Sequence, residues 1–100
     1  MIKQVCVPRA DDLKVIVSHY GVQNQLNILI EEMSELTKEI CKFKRGEYNL
    51  EHISEEIADV QIMINQIVMD YHLEQQIIGF YHKKIDRQLE RIKGEHYDEN

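Results

Sequence analysis

Hydrophobic residues recur every three or four positions along most of the chain, which is the spacing of one face of an α-helix. A first helix is predicted to begin near Pro8 to Asp12, with an aspartate as its cap, and to stop at Gly21, a natural left-handed terminator. A second helix is predicted to begin after Asn24, with cations in its last turn and Gly46 beyond it. Its apolar stripe consists of Leu26, Leu29, Ile30, Met33, Leu36, Ile40 and Phe43.

Two further helices are predicted in the second half of the chain. Asn49 is the expected cap of the third helix, and residues 70–73 form a short link to the fourth. Gly94 is expected to end the fourth helix and to leave residues 95–100 as a frayed polar tail. Because each stripe needs a partner and short links favour antiparallel neighbours, the sequence predicts an all-α, four-helix-bundle-like fold in a single domain of residues 1–100. The stripes of these helices consist of Ile53, Ile57, Val60, Ile64, Ile67 and Val68, and of Ile77, Ile78, Tyr81, Ile85, Leu89 and Ile92.

The composition and charge of the chain argue against several classes of function. The chain has 18 acidic residues against 12 Lys and Arg, a net charge of −6, which argues against a protein that binds bulk nucleic acid. It contains neither a membrane-spanning apolar run nor a secretory signal, so the expected location is the cytoplasm. Cys6 and Cys41 lack metal-pair spacing and are expected to be reduced thiols, with Cys41 packed on a helix face. Extra apolar residues such as Ile28, Ile62 and Met63 predict self-association.

Acidic pairs on the second and third predicted helices are the most informative chemistry. Glu32 and Glu35 form one i,i+3 pair, and Glu56 and Asp59 form another. Glu39 shares the flank of the first pair. Four carboxylates directed at one helix–helix seam repel each other, so either their pKa values rise or a divalent cation lies among them. A single such pair is more often a solvated face, but two pairs on consecutive helices favour a metal site.

Cationic side chains and histidines supply the remaining candidate chemistry. Lys84, Arg87 and Arg91 share a flank of the fourth helix, as groups that bind a polyphosphate would, although they are equally consistent with cations near a helix C-terminus. The histidines are interpreted as surface or link residues, and His19 is the exception that could face an opening of the bundle. The chain has no Glu-x-x-His, no H-E-x-x-H and no glycine-rich phosphate loop.

Three motifs occur in order: Glu31-Glu32-x-x-Glu35, then Glu56-x-x-Asp59, then Lys84-Ile85-Asp86-Arg87-Gln88-x-x-Arg91. In this order and spacing they resemble the EExxE…ExxD signature and the downstream basic segment of the MazG-like all-α nucleoside triphosphate pyrophosphohydrolases. Gln88 stands where that family commonly has Asn, and the chain lacks the Trp that the family often places near the base. The resemblance extends over roughly residues 24–94.

The resemblance implies a homodimer or homotetramer that hydrolyses a nucleoside triphosphate to the monophosphate and pyrophosphate. It assigns Mg²⁺, with Mn²⁺ as an alternative, to Glu32, Glu35, Glu56 and Asp59. Glu31 or Glu35 would orient or deprotonate the attacking water. The implied substrate contacts are Lys84, Arg87 and Arg91 at the phosphates, Asn24 and Gln25 at the nucleotide, and His19 or Tyr20 near the base.

Two alternatives stay open at the level of sequence. One is a non-enzymatic acidic helical module that only oligomerises. The other is phosphoribosyl-ATP pyrophosphatase, which shares the acidic signature but is expected to carry a histidine soon after it. In this chain Val60-Gln61-Ile62-Met63 follows Asp59 instead.

Overall fold

The computed structural model describes residues 7–98, and within that range the chain forms four α-helices and no strand. The helices are α1 (Ala10–Tyr20), α2 (Val22–Lys44), α3 (Leu50–Asp70) and α4 (Glu74–Asp98). The predicted all-α fold is therefore confirmed. None of these helices combines the length and the apolar character that crossing a bilayer requires.

The start of α1 and the junction with α2 differ from the prediction. Arg9, not an aspartate, occupies the cap position of α1, in a left-handed conformation with φ 55° and ψ 43°. Asp12 lies inside the first turn, and its carboxylate accepts a hydrogen bond from Arg9 Nε at 3.0 Å. Gly21 ends α1 as predicted, with φ 87° but an extended ψ of 141°. Because this one glycine joins the two helices, α2 begins at Val22, before the predicted start.

Among the other helix boundaries, the cap of α3 and the break before α4 agree with the prediction, and the end of α4 does not. The predicted cap of α3 is confirmed, since Asn49 Oδ1 accepts a hydrogen bond from the backbone N–H of His52 at 3.0 Å. The break between α3 and α4 lies where the sequence placed it, and His72 supplies a positive φ of 55° there without a glycine. The predicted end of α4 at Gly94 is wrong, because the helix continues through it to Asp98. A glycine lowers helix propensity but does not by itself stop a helix. Residues 99 and 100 lie outside the described range.

Helices α1, α2 and α3 form one compact unit. α2 and α3 make an antiparallel hairpin, closed by the loop of residues 45–49, and α1 packs against both helices, mainly α3. The apolar core of this unit is small. It consists of Leu13 and Val17 from α1 and Val60, Met63 and Val68 from α3.

Helix α4 belongs to a second unit and is described by itself. It carries an apolar stripe whose members are all partly or largely exposed: Ile77, Phe80, Tyr81, Ile85, Leu89 and Ile92. Large apolar side chains are also exposed on the first unit, including Ile30 at 59% and Ile62 at 44%. Cys41 is exposed as well, so the expectation that it packs on a helix face is wrong. Cys6 lies outside the described residues.

Candidate functional site

Three carboxylates converge on the seam between α2 and α3. One oxygen each from Glu32, Glu56 and Asp59 lies within 4.8 Å of the other two. Glu56 and Asp59 are one turn apart on α3 and so share a flank, and the antiparallel course of α2 brings Glu32 opposite them. Glu32 and Glu56 are half-buried, and Asp59 is exposed.

The surroundings of Glu32 disfavour its ionised form. Burial raises the pKa of Glu32 above its ordinary value, and the negative charges of Asp59 and Glu56 raise it further. Glu56 Oε2 is shielded from solvent and has no hydrogen-bond partner in the described part of the chain. Among residues 7–98, no salt bridge involves any of the three carboxylates. The cluster therefore lacks the positive partner that a buried carboxylate oxygen normally requires.

The other acidic residues of the predicted site lie outside this group. Glu35, one turn after Glu32, is exposed and does not contribute an oxygen to the group. Glu31 is also exposed. The structure thus brings together three of the four carboxylates that the sequence assigned to the metal, and it leaves Glu31 and Glu35 exposed on α2.

The predicted nucleotide contacts near the start of α2 have different surroundings. Asn24 is exposed, and its side-chain Nδ2 donates to the carbonyl of Tyr20 at 2.7 Å. His19 is exposed and makes an edge-to-face contact with the Tyr20 ring at a centroid distance of 4.7 Å. Gln25 departs from the expectation, because it is only 5% exposed and its Nε2 donates to Gln66 Oε1 at 2.8 Å. Its side-chain amide is thus hydrogen-bonded within the seam and is not exposed to a ligand.

The predicted phosphate-binding residues Lys84, Arg87 and Arg91 are exposed on α4. Since α4 is a unit described by itself, the structure places these side chains on that helix and nothing more. Their role at the phosphates stays a prediction.

Two polar pairs on the same seam were not predicted. One is the Gln25–Gln66 hydrogen bond. The other joins Glu39 to His52, with 3.9 Å between Oε2 and Nδ1, and Lys42 Nζ also lies 3.5 Å from Glu39 Oε1. A sequence signal for both exists, because polar residues recur every seven positions within the apolar stripes of α2 and α3.

Comparisons of the chain with protein-family models, with curated proteins and with solved structures gave no match. Converging carboxylate oxygens are the donors that hard divalent cations such as Mg²⁺ take. Glu56 Oε2 fits such an ion, because it is a carboxylate oxygen shielded from solvent to which no group of the described range donates a hydrogen bond.

Proposed function

We propose that this chain is a Mg²⁺-dependent nucleoside triphosphate pyrophosphohydrolase, with Mn²⁺ as an alternative ion. Two observations carry the proposal: Glu32, Glu56 and Asp59 converge on the seam, and Glu56 Oε2 has no hydrogen-bond partner among the described residues. Such a group is costly to bury unless a proton or a cation joins it. The resemblance of the acidic and basic motifs to MazG-like enzymes supports the choice of a nucleotide as the substrate.

In this proposal, each side chain has a defined task. Glu32, Glu56 and Asp59 hold the cation, and Glu31 or Glu35, both exposed on α2, orients or deprotonates the attacking water. A bound divalent cation would supply charge neutralisation at the phosphate and acidification of water. Phosphoryl transfer needs little else from a protein than positioning and electrostatic stabilisation.

The substrate contacts of the proposal come from outside the carboxylate cluster. Lys84, Arg87 and Arg91 hold the phosphates, and Asn24 and His19, both exposed, approach the nucleotide. Gln25 is left out of this set because its amide is bonded inside the seam. The proposal includes a homodimer or homotetramer in the cytoplasm, and the exposed apolar side chains of the described helices support self-association.

A non-enzymatic helical module is the second candidate, and the same exposed apolar side chains favour it. Such a module would gain nothing from holding a carboxylate oxygen away from both water and donors, as Glu56 does. Phosphoribosyl-ATP pyrophosphatase ranks lower, because no histidine occurs at positions 60–63, directly after Asp59.

The direct test is a screen for pyrophosphate release over the common ribo- and deoxyribonucleoside triphosphates, with Mg²⁺ and with Mn²⁺. We expect at least one to be hydrolysed and Glu56→Gln to abolish the release, because the amide keeps the shape but removes the ligand charge. Glu55→Gln is the matched control, since it removes the same charge from an exposed neighbour on α3 and should leave activity intact. Absence of pyrophosphate with every substrate, or full activity of Glu56→Gln, would refute the proposal.

A companion variant tests the phosphate contacts. Arg87→Ala should raise KM for the nucleotide by roughly tenfold or more, while Mn²⁺ binding to the protein alone stays unchanged, because a guanidinium binds phosphate and not the cation. Lys93→Ala, which removes a charge paired to Glu90 on the same helix, is the control. Wild-type kinetics in Arg87→Ala would remove this residue from the site.

A further inference from the structure

The most completely buried side chain of the described range is polar. Gln66 on α3 has no exposed surface, and its Oε1 accepts the hydrogen bond from Gln25 Nε2 at 2.8 Å across the seam. Gln66 Nε2 in turn lies 3.5 Å from Met63 Sδ on its own helix. Two apolar side chains could fill the same space, so this polar pair has a role that packing alone does not explain.

The pair has a fixed relation to the carboxylates. Glu32 is seven residues after Gln25 on α2, and Asp59 is seven residues before Gln66 on α3. Another seven residues along each helix lead to Glu39 and His52, which also face each other. The hairpin therefore carries three polar layers, about 10 Å apart along the helix axes.

The carboxylate layer lies between two layers that hold the helices together. On one side, the loop of residues 45–49 and the Glu39–His52 contact tie α2 to α3. On the other side no loop joins α2 directly to α3 and α1 packs against both helices. Among the described residues, the polar side-chain contact between α2 and α3 there is the hydrogen bond of Gln25 to Gln66. Like charges at Glu32, Glu56 and Asp59 push the two helices apart between these ties.

We propose that the Gln25–Gln66 hydrogen bond is a positioning pair that fixes the register of α2 on α3 and so holds Glu32 opposite Glu56 and Asp59. Apolar contacts are not directional, so they tolerate small slides and rotations of one helix on the other. A buried amide pair does not, because any displacement leaves its donors and acceptors unsatisfied, as for the polar core residue that sets the register of a coiled coil. The claim about register stands on the hydrogen bond alone, whereas its consequence for cation affinity rests on the proposed function.

The test replaces both partners with the double variant Gln25→Leu/Gln66→Leu. Removing both members of the pair leaves no unpaired amide, so we expect the variant to fold and to melt at or above the wild-type temperature. The Kd for Mn²⁺, measured by electron paramagnetic resonance on the protein without nucleotide, should rise by about tenfold or more, as when supporting residues of metal sites are removed. Nuclear Overhauser contacts between α2 and α3 near the carboxylate layer should weaken or change partners.

Two further variants separate positioning from stability. Val68→Ala removes buried apolar volume from α3 and should lower the melting temperature while leaving the Mn²⁺ Kd of the folded protein unchanged. Gln66→Glu retains an acceptor for Gln25 Nε2 and should not weaken Mn²⁺ binding. If the double variant fails to fold, Gln66→Leu at low temperature is measured in the same way, with the same expected loss of affinity.

The possible failures are distinguishable. A wild-type protein that binds no Mn²⁺ would refute the metal site of the proposed function, and the positioning claim would then be decided by the cross-helix contacts alone. Unchanged contacts in the double variant would overturn the positioning claim whether or not Mn²⁺ binds. Changed contacts with an unchanged Mn²⁺ Kd would also overturn it, because the register would then not matter to the carboxylates.

Discussion

Glu32 carries its carboxylate at a place where burial and two like charges both oppose ionisation. Its pKa in the folded protein therefore lies above the ordinary value of 4.5, whereas the unfolded chain retains that ordinary value. At a pH between the ordinary pKa and the raised pKa of Glu32, the folded state binds more protons than the unfolded state. The free energy of unfolding that depends on Glu32 is therefore greatest at or below pH 4.5 and falls as the pH rises through the higher pKa.

This linkage predicts a pH-dependent difference between the wild type and Glu32→Gln. With divalent cations removed by a chelator, the variant should gain melting temperature relative to the wild type as the pH is raised from 4.5 to neutrality, since glutamine cannot ionise. Thermal melts by circular dichroism at matched ionic strength measure the difference. Glu31→Gln, an exposed neighbour, is the control and should follow the wild type. A Glu32→Gln curve parallel to the wild type across this range would show that the cluster does not oppose ionisation.

The sequence predicts only part of this site, and the reason is physical. That Glu56 and Asp59 are neighbours follows from helix geometry alone, because residues three apart on a helix share a flank. That Glu32 joins them while Glu35 does not depends on the rotation of α2 about its own axis, which packing against α3 decides. Both glutamates lie on the same flank of the stripe, and only the seven-residue spacing that links Glu32 to Gln25 and Glu39 distinguishes them in the sequence.

At the scale of elements, hydrophobic periodicity identified all four helices, but their ends depended on local backbone chemistry. Asn49 was predictable because its side chain accepts the N–H of a residue three positions later, a pattern with a known preference. Arg9 was not, because the left-handed conformation favours Gly, Asn or Asp, and this arginine makes no capping hydrogen bond with its side chain. The glycines divided likewise: Gly21 has a positive φ and ends a helix, whereas Gly94 lies within one.

The Asn49 cap of α3 should contribute measurably to the free energy of unfolding. Asn49→Ala should lower the free energy of unfolding by about 1 kcal/mol, because the backbone N–H of His52 loses its partner at the start of the helix. Urea denaturation followed by circular dichroism measures this loss. Asn49→Asp should preserve the cap and retain most of the stability. Equal midpoints for the alanine variant and the wild type would mean that solvent satisfies this N–H equally well.

At the scale of the whole molecule, the sequence predicted antiparallel neighbours and exposed apolar surface, and the first unit has both. It did not predict that a fully buried glutamine would lie at the centre of the α2–α3 seam. Glutamine is usually an exposed residue, so a reading based on burial preference places Gln66 on the surface. Only the seven-residue recurrence of polar positions within the stripes indicates a register of polar layers.

A cation held by the three carboxylates should be energetically coupled to folding of the chain. Because converging carboxylates exist only in the folded state, an ion that binds them stabilises folding by mass action, by about 2.7 kcal/mol at a free concentration one hundred times its Kd. Thermal melts should therefore shift upward with Mg²⁺ or Mn²⁺ relative to NaCl of equal ionic strength. The shift should disappear in Glu56→Gln and persist in Glu55→Gln, which has the same net charge. A purely oligomerising module has no use for the position of Glu56, so it predicts equal shifts in the two variants. That result would assign the three carboxylates to a charged surface and not to a metal site.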